Sequence, residues 1–260
     1  MESTEAILLR DDRDGVVTLR LNRPQQFNAL SDALLDHLEH AFASLAADAR
    51  VRCVVLAGEG KAFCAGHDLR EMRGKPDLDY YRALFTQCAR VMQAIRALPV
   101  PVIARVHGIA TAAGCQLVAA CDLAIAADTA RFAVSGINVG LFCATPAVPL
   151  SRNVSAKRAF DMLVTGRFVD AATAVDWGLV NEAVPEDALD VAIARKVAEI
   201  VAKSPVAVRY GKAMFHRQRE MTLEDAYAYA SDVMARNMME DDVREGIDAF
   251  LEKRPARWRT

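Results

Sequence analysis

The sequence predicts a parallel α/β protein followed by a helical region, and three observations carry that reading. Strand, small-residue turn and helix recur along the chain. VRCVVLAG leads through KAFCAGHDLREM into an amphipathic run, PVIARV leads through GIATAAGC into a short helix ending near Cys121, and DLAIAAD reads as a third strand. Parallel sheets use this grammar and place ligand sites at their strand ends. A length of 260 residues, 53% hydrophobic and 25% charged, is enough for one large core. Strand signals stop near Val184, and 186–253 read as consecutive helices. The change of character divides the chain into a core over 1–200 and a helical appendage over 201–260.

Each element has its own signal. AILLRDDRDGVVTLRLNRP alternates about Asp14-Gly15 and reads as a hairpin. Ser31 is an N-cap for a helix to about Ala47, with Leu34, Leu35, Leu38, Ala41, Phe42 and Leu45 on one face. VRCVVLAG is apolar enough for a strand buried on both sides. Leu84, Phe85, Cys88, Val91, Met92 and Ile95 mark a further helix, stopped before Pro99. No fixed-period repeat or low-complexity segment interrupts this series.

Composition excludes several classes of partner. A net charge of −2 gives no electrostatic reason for nucleic acid or an acidic membrane surface. No apolar run reaches the roughly 18 residues needed to span a bilayer. MESTEAILLRDDRDG lacks the basic flank and long apolar stretch of a secretory leader. Cys53, Cys64, Cys88, Cys115, Cys121 and Cys143 are scattered through apolar segments. They read as free buried thiols in a reducing compartment, with the cytoplasm as the default location.

Side-chain chemistry has weak support. Cys64, His67 and Asp68 are close in sequence, but no second Cys/His pair lies at zinc spacing, and His37 and His40 sit on a polar helix face, so no metal is expected. AVSGINVG lacks the nucleophile-elbow spacing, and Cys143 or Cys64 with His107 or His67 is a pair in name only. GEGKAFCAG has neither Walker spacing nor a dinucleotide fingerprint. Two turns of small residues remain, Ala65-Gly66 and Ala110-Thr111-Ala112-Ala113-Gly114, each leading into a helix start. Small side chains there serve tight packing, or they let a ligand approach unpaired amides closely enough for an oxyanion hole.

In this order, NRPQQFNAL, KAFCAGHDLREM, HGIATAAGCQLVAACDLAIA, INVGL, VDWGLVNEAVP and EGIDAFLEKR resemble the crotonase, or enoyl-CoA hydratase/isomerase, superfamily over nearly the whole chain. Within it, GHDL, ATAAGCQL and NVGLFC are nearest to the domain-containing-protein-three subgroup. The resemblance implies a spiral of β-β-α turns that binds acyl-CoA over 1–200, and a C-terminal oligomerisation region over 201–260 that builds trimers or hexamers. It implies an acyl-CoA or enoyl-CoA ester as ligand, with coenzyme A as part of the substrate and no permanent cofactor. The thioester carbonyl would sit between the N–H groups of His67 and Ala113. Ala65, Asp68, Leu69 and Arg70 would line the coenzyme A end. Phe250 and Lys253 would reach it from a neighbouring subunit. Tyr80, Tyr81, Val134, Leu141 and Phe142 are candidates for the acyl end.

One departure from the family pattern matters chemically. Gln116 and Gly136 occupy the positions of the two glutamates that hydratases carry, and Ala144 stands where some isomerases have Asp. Gln116 has no titratable proton and Gly136 no side chain, whereas a positioned acid or base contributes about 10²–10⁴-fold. His67, Gln116, Asn138 and Cys143 are the polar groups left. The expected activity is therefore nominally that of an enoyl-CoA hydratase/isomerase, with efficient hydration doubtful. The alternatives are decarboxylation of a malonyl-type acyl-CoA, which makes an enolate without a base, and acyl-CoA binding with little turnover.

Overall fold

The computed structural model describes residues 6–259. β1 (Leu8–Arg13) and β2 (Val16–Leu21) form the expected hairpin, with Asp14 and Gly15 both at positive φ. α1 (Asp32–Ala47) starts at Ser31, whose hydroxyl accepts the Leu34 N–H at 3.2 Å. Three strand pairs follow. β3 (Cys53–Gly58) and β4 (Ala62–Cys64) lead into α2 (Leu69–Gly74) and α3 (Leu78–Ala97). β5 (Val102–Val106) and β6 (Ile109–Thr111) lead into α4 (Ala113–Ala120). β7 (Leu123–Ala127) and β8 (Arg131–Ala133) lead into α5 (Ala144–Asn153) and α6 (Ala156–Thr165). β9 (Val169–Asp170), α7 (Ala171–Asp176) and β10 (Glu182–Val184) complete the sheets, and α8 (Leu189–Val201), α9 (Pro205–Gln218), α10 (Leu223–Met238) and α11 (Asp241–Leu251) follow.

The first strand of each pair joins a six-stranded sheet, β1-β2-β3-β5-β7-β10, and the second joins a four-stranded sheet, β4-β6-β8-β9. Repeating strand, strand, helix while alternating between two sheets produces a spiral of β-β-α turns. β3, β5 and β7 run parallel, with Val54 opposite Val102 and Ile103 opposite Leu123. All six residues of β3 are buried. Val54 and Leu56 point into the main core between the sheets, while Cys53 and Val55 join Leu189, Ala192 and Ile193 of α8 on the other face. A strand covered on both sides needs this continuous apolar run.

α9 is fastened to the core through a buried lysine, with Arg209 and His216 adding bonds to Ala49 O and Asp122. Lys212 is 8% exposed, and its Nζ donates to the carbonyls of Ile95 (2.9 Å) and Val100 (2.8 Å) and pairs with Asp122 at 2.7 Å. Beyond it, Leu223, Tyr227, Met234 and Met238 of α10 are exposed. Among the described residues, no helix is long and apolar enough to cross a membrane.

Candidate active site

The short strands β4 and β6 end in the two small-residue turns, and the fold brings these turns into contact. Gly66 has φ +96°, and a Cβ there would lie 2.9 Å from the Ala112 Cβ, 3.2 Å from the Thr111 oxygen and 3.3 Å from the Ala113 nitrogen. Glycine is therefore required at position 66 by conformation and by space. Behind it, Gly114 rests on the Cys64 carbonyl.

A backbone template orients the first turn. Ala65 N–H donates to Phe27 O (3.0 Å), Leu30 N–H to Gly66 O (2.8 Å), and Asp68 N–H to Leu30 O (3.0 Å). In a parallel pairing of this kind, both neighbours of His67 bond to Leu30. The N–H of His67 itself then points to the opposite side. On the second turn, Ala112 N–H donates to Ala133 O at 3.0 Å, and Ala113 is the first residue of α4. Among the described residues, neither the His67 nor the Ala113 N–H meets a backbone acceptor. The left-handed conformation falls on Ala112 (φ 50°, ψ −120°), so Ala113 itself carries no such strain. A non-glycine residue held there is sterically unfavourable and persists only when its surroundings enforce it.

His67 places its ring edge-on to Phe85 of α3, with centroids 5.5 Å apart. Both ring nitrogens are shielded from solvent and, among the described residues, have no hydrogen-bond partner. Burial pushes the imidazole down to about 4, opposed only in part by the Leu30 carbonyl and Asp32. An unfolded chain takes up this proton as pH falls through the ordinary value near 6.5, and the folded chain does not until about 4. The stability associated with the neutral ring is thus fully present above 6.5 and drains as pH falls towards 4. Between these limits, His67→Leu should reduce the pH slope of the unfolding free energy by about one proton's worth. Urea titrations at a series of pH values measure this slope. An unchanged slope would mean that the imidazole titrates as if exposed.

The other residues expected at the site are distributed as follows. Gln116 is buried on α4, 4.0 Å from the Cys88 Sγ of α3, so α3 borders both His67 and Gln116. The Gly136 N–H donates to Cys143 Sγ at 3.3 Å, and the Leu141 N–H returns to Gly136 O at 3.0 Å, closing 136–143 into a compact loop. A Cβ at Gly136 would lie 2.5 Å from the Leu141 oxygen and 2.8 Å from that sulfur. The Cys143 thiol is engaged as an acceptor and raised by burial, and burial pushes the Cys64 thiol up to about 12. Neither sulfur has the electropositive surroundings of a nucleophile. The Asn138 amide extends to the Gly166 carbonyl at 3.5 Å. The Asp68 side chain caps α2 and pairs with Arg23 at 3.0 Å. Ala65 is half-buried, and Leu69 and Arg70 are exposed beside it. Phe250 and Lys253, both exposed at the end of α11, are not joined to this cluster by any hydrogen bond or ion pair among the described residues.

Asp32 acts electrostatically on His67, but its carboxylate receives the Tyr80 hydroxyl (3.0 Å) and the Lys75 ammonium (2.8 Å). Among the described residues, no group of three His, Cys, Asp or Glu side chains is arranged to hold a metal ion. Sequence reasoning did not place Arg23, Asn28 or Cys88 at the site. For Asn28 a signal existed, because Asn tolerates the left-handed region better than other non-glycine residues.

Comparison with known proteins follows the same lines. Residues 11–260 match the family model described as enoyl-CoA hydratase/isomerase. The chain is 42% identical over 258 residues to the mitochondrial enoyl-CoA hydratase domain-containing protein 3 of Xenopus laevis, covering 99% of this chain and 87% of the relative. The Homo sapiens protein of that name is 42% identical over 248 residues, covering 94% and 81%. A crystal structure of an enoyl-CoA hydratase from Mycobacterium smegmatis superposes with a TM-score of 0.97 at 62% identity, covering 98% of this chain and 100% of that one. The human domain-containing protein 3 structure gives 0.95 at 41% identity, covering 97% and 100%. These relatives correct the cytoplasmic expectation, since the vertebrate proteins are named mitochondrial. The physical reason is that Cys64 and Cys115 are fully enclosed. Burial shields such thiols whatever the compartment, so their free state does not report location. With a family match over nearly its whole length, the chain belongs to the enoyl-CoA hydratase/isomerase family.

Proposed function

We propose that this protein binds an acyl-CoA or enoyl-CoA ester with its thioester oxygen between the amides of His67 and Ala113, and that it stabilises the thioester enolate there without the acid–base pair of a hydratase. The observation that supports this most directly is the close approach of Gly66 to Ala112 and Ala113, which joins the two turns whose His67 and Ala113 N–H groups meet no backbone acceptor among the described residues. One oxyanion-hole donor contributes roughly 2.7–4 kcal/mol of transition-state stabilisation. Gln116 and Gly136 supply neither proton nor base, so hydration of crotonyl-CoA is slow. Coenzyme A enters as part of the substrate and no permanent cofactor is needed.

A second reading, decarboxylation of a malonyl-type ester, is favoured by the neutral imidazole of His67 and by the engagement of Asp32 with Lys75 and Tyr80. Loss of CO₂ leaves the enolate directly, and no free carboxylate of this cluster opposes the substrate's own charge. The exposed Leu223, Tyr227, Met234 and Met238 would be covered in a trimer or a pair of trimers, built by the region over 201–260. In such an assembly, Phe250 and Lys253 would approach a neighbour's coenzyme A end, near its Ala65, Asp68, Leu69 and Arg70.

The test is a panel of crotonyl-CoA and malonyl-type esters assayed for turnover, with calorimetric binding on the same samples. Ester binding with crotonyl-CoA hydration far below that of a glutamate-bearing family member is the expected result. Turnover of the malonyl-type ester would select decarboxylation, and binding with no turnover would select a CoA-ester-binding role. Hydration at ordinary family rates would overturn the proposal.

A further inference from the structure

We infer that Asn28 is a positioning residue for the His67 amide, an assignment that rests on the oxyanion-hole reading above. Asn28 is 0% exposed, and all of its side-chain bonds go to backbone. Its Oδ1 accepts the Arg23 N–H at 2.9 Å, and its Nδ2 donates to the carbonyls of Glu59 and Ala62, each at 2.8 Å. One amide thus joins the loop before α1 to the β3–β4 connection, from which the strand bearing the first turn departs. Asn28 and its neighbour Phe27 are both left-handed, at φ 55° and 50°.

Two consecutive left-handed residues reverse the chain sharply. The reversal and the residue just after it template the site, Phe27 through its carbonyl to Ala65 and Leu30 through both its polar groups to Gly66 and Asp68. The aim of the His67 N–H is set by that template, and the template is set by the turn at Asn28. Arg23 supports the same turn, donating to Ala29 O at 2.6 Å and to Asp68 at 3.0 Å. A reacting group displaced by about 1 Å can cost up to about 10²-fold in rate.

The experiment reads the polarisation of a bound carbonyl directly. Acetyl-CoA labelled with ¹³C at the thioester carbonyl is bound to the full chain, and its C=O stretch is followed by isotope-edited infrared spectroscopy. The wild-type chain should lower the stretch. Asn28→Gly, which keeps the left-handed backbone and removes all three bonds, should still bind acetyl-CoA yet lose most of that lowering. Arg23→Gln is the milder second variant and should lose part of it. Asp242→Asn, at a buried C-terminal position remote from the turn, controls for lost stability and should retain the wild-type stretch. If Asn28→Gly binds with the full wild-type lowering, Asn28 has only a structural role and the inference fails. A loss of lowering equally large in Asp242→Asn would overturn it too. If the wild-type chain binds without lowering the stretch, the oxyanion-hole reading itself falls.

Discussion

Lys212→Met is expected to destabilise the folded protein by about 3–5 kcal/mol, the range for breaking one partner out of a buried ion pair. The Lys212 ammonium is lowered by burial and held up chiefly by the attraction of Asp122. Its three hydrogens have three acceptors, Asp122 and the carbonyls of Ile95 and Val100. Asp122 also accepts the Val102 N–H at 2.7 Å and lies 2.8 Å from His216 Nε2. Removing the ammonium leaves the partly buried Asp122 carboxylate with only Val102 N–H and His216, and leaves the Ile95 and Val100 carbonyls without that donor. Methionine fills the volume without replacing the lost bonds. Ile95 lies near the end of α3 and Asp122 just after α4, so the same lysine joins the appendage to both helices that border His67 and Gln116. A Lys212→Met, Asp122→Leu double variant should lose less than the sum of the singles, because neither charge is left unpaired. Urea unfolding of the four proteins measures this coupling. A single-variant loss under about 1 kcal/mol would class the pair with exposed ion pairs and reject its role as the fastening point.

Local periodicity made the helices and the long parallel strands legible: Ser31 caps α1, and β3 and β5 follow the apolar runs that suggested them. The second sheet was hidden. β4, β6 and β8 are three residues each, inside small-residue segments whose pairing partners lie more than twenty residues away. No alternation can develop over so short a span. Lys212 was hidden for a related reason. A lysine in KAMFHRQ reads as a solvated helix face until Asp122, ninety residues earlier, is brought beneath it. The two candidate hole turns were visible from composition and family resemblance, because small residues at strand ends carry that signal locally. What composition left open was whether they meet, and the Gly66 contact with Ala112 and Ala113 is a property of the fold alone.

Restoring the absent glutamates should succeed at one position and fail at the other. Gln116→Glu places a carboxyl group in a buried setting beside Cys88, where burial favours the neutral acid. A neutral acid next to the hole can deliver a proton to the α-carbon, and a positioned acid typically gives about 10²-fold or more. Crotonyl-CoA hydration, followed as loss of the conjugated absorbance, should therefore rise in this variant. Gly136→Glu is different, because the space its side chain needs is already taken. Its Cβ would lie 2.5 Å from the Leu141 oxygen and 2.8 Å from Cys143 Sγ, and the backbone oxygen cannot rotate away as a flexible side chain could. The variant should lose roughly 1–3 kcal/mol by overpacking and gain no hydration. The double variant should hydrate no faster than Gln116→Glu alone. Glycine at 136 is then part of how the 136–143 loop closes, and replacing the acid requires a different loop as well as a different residue. A double variant that clearly outperforms the single one would show that this loop opens in solution, and a Gln116→Glu protein with no gain would show that position 116 does not face the reacting carbons.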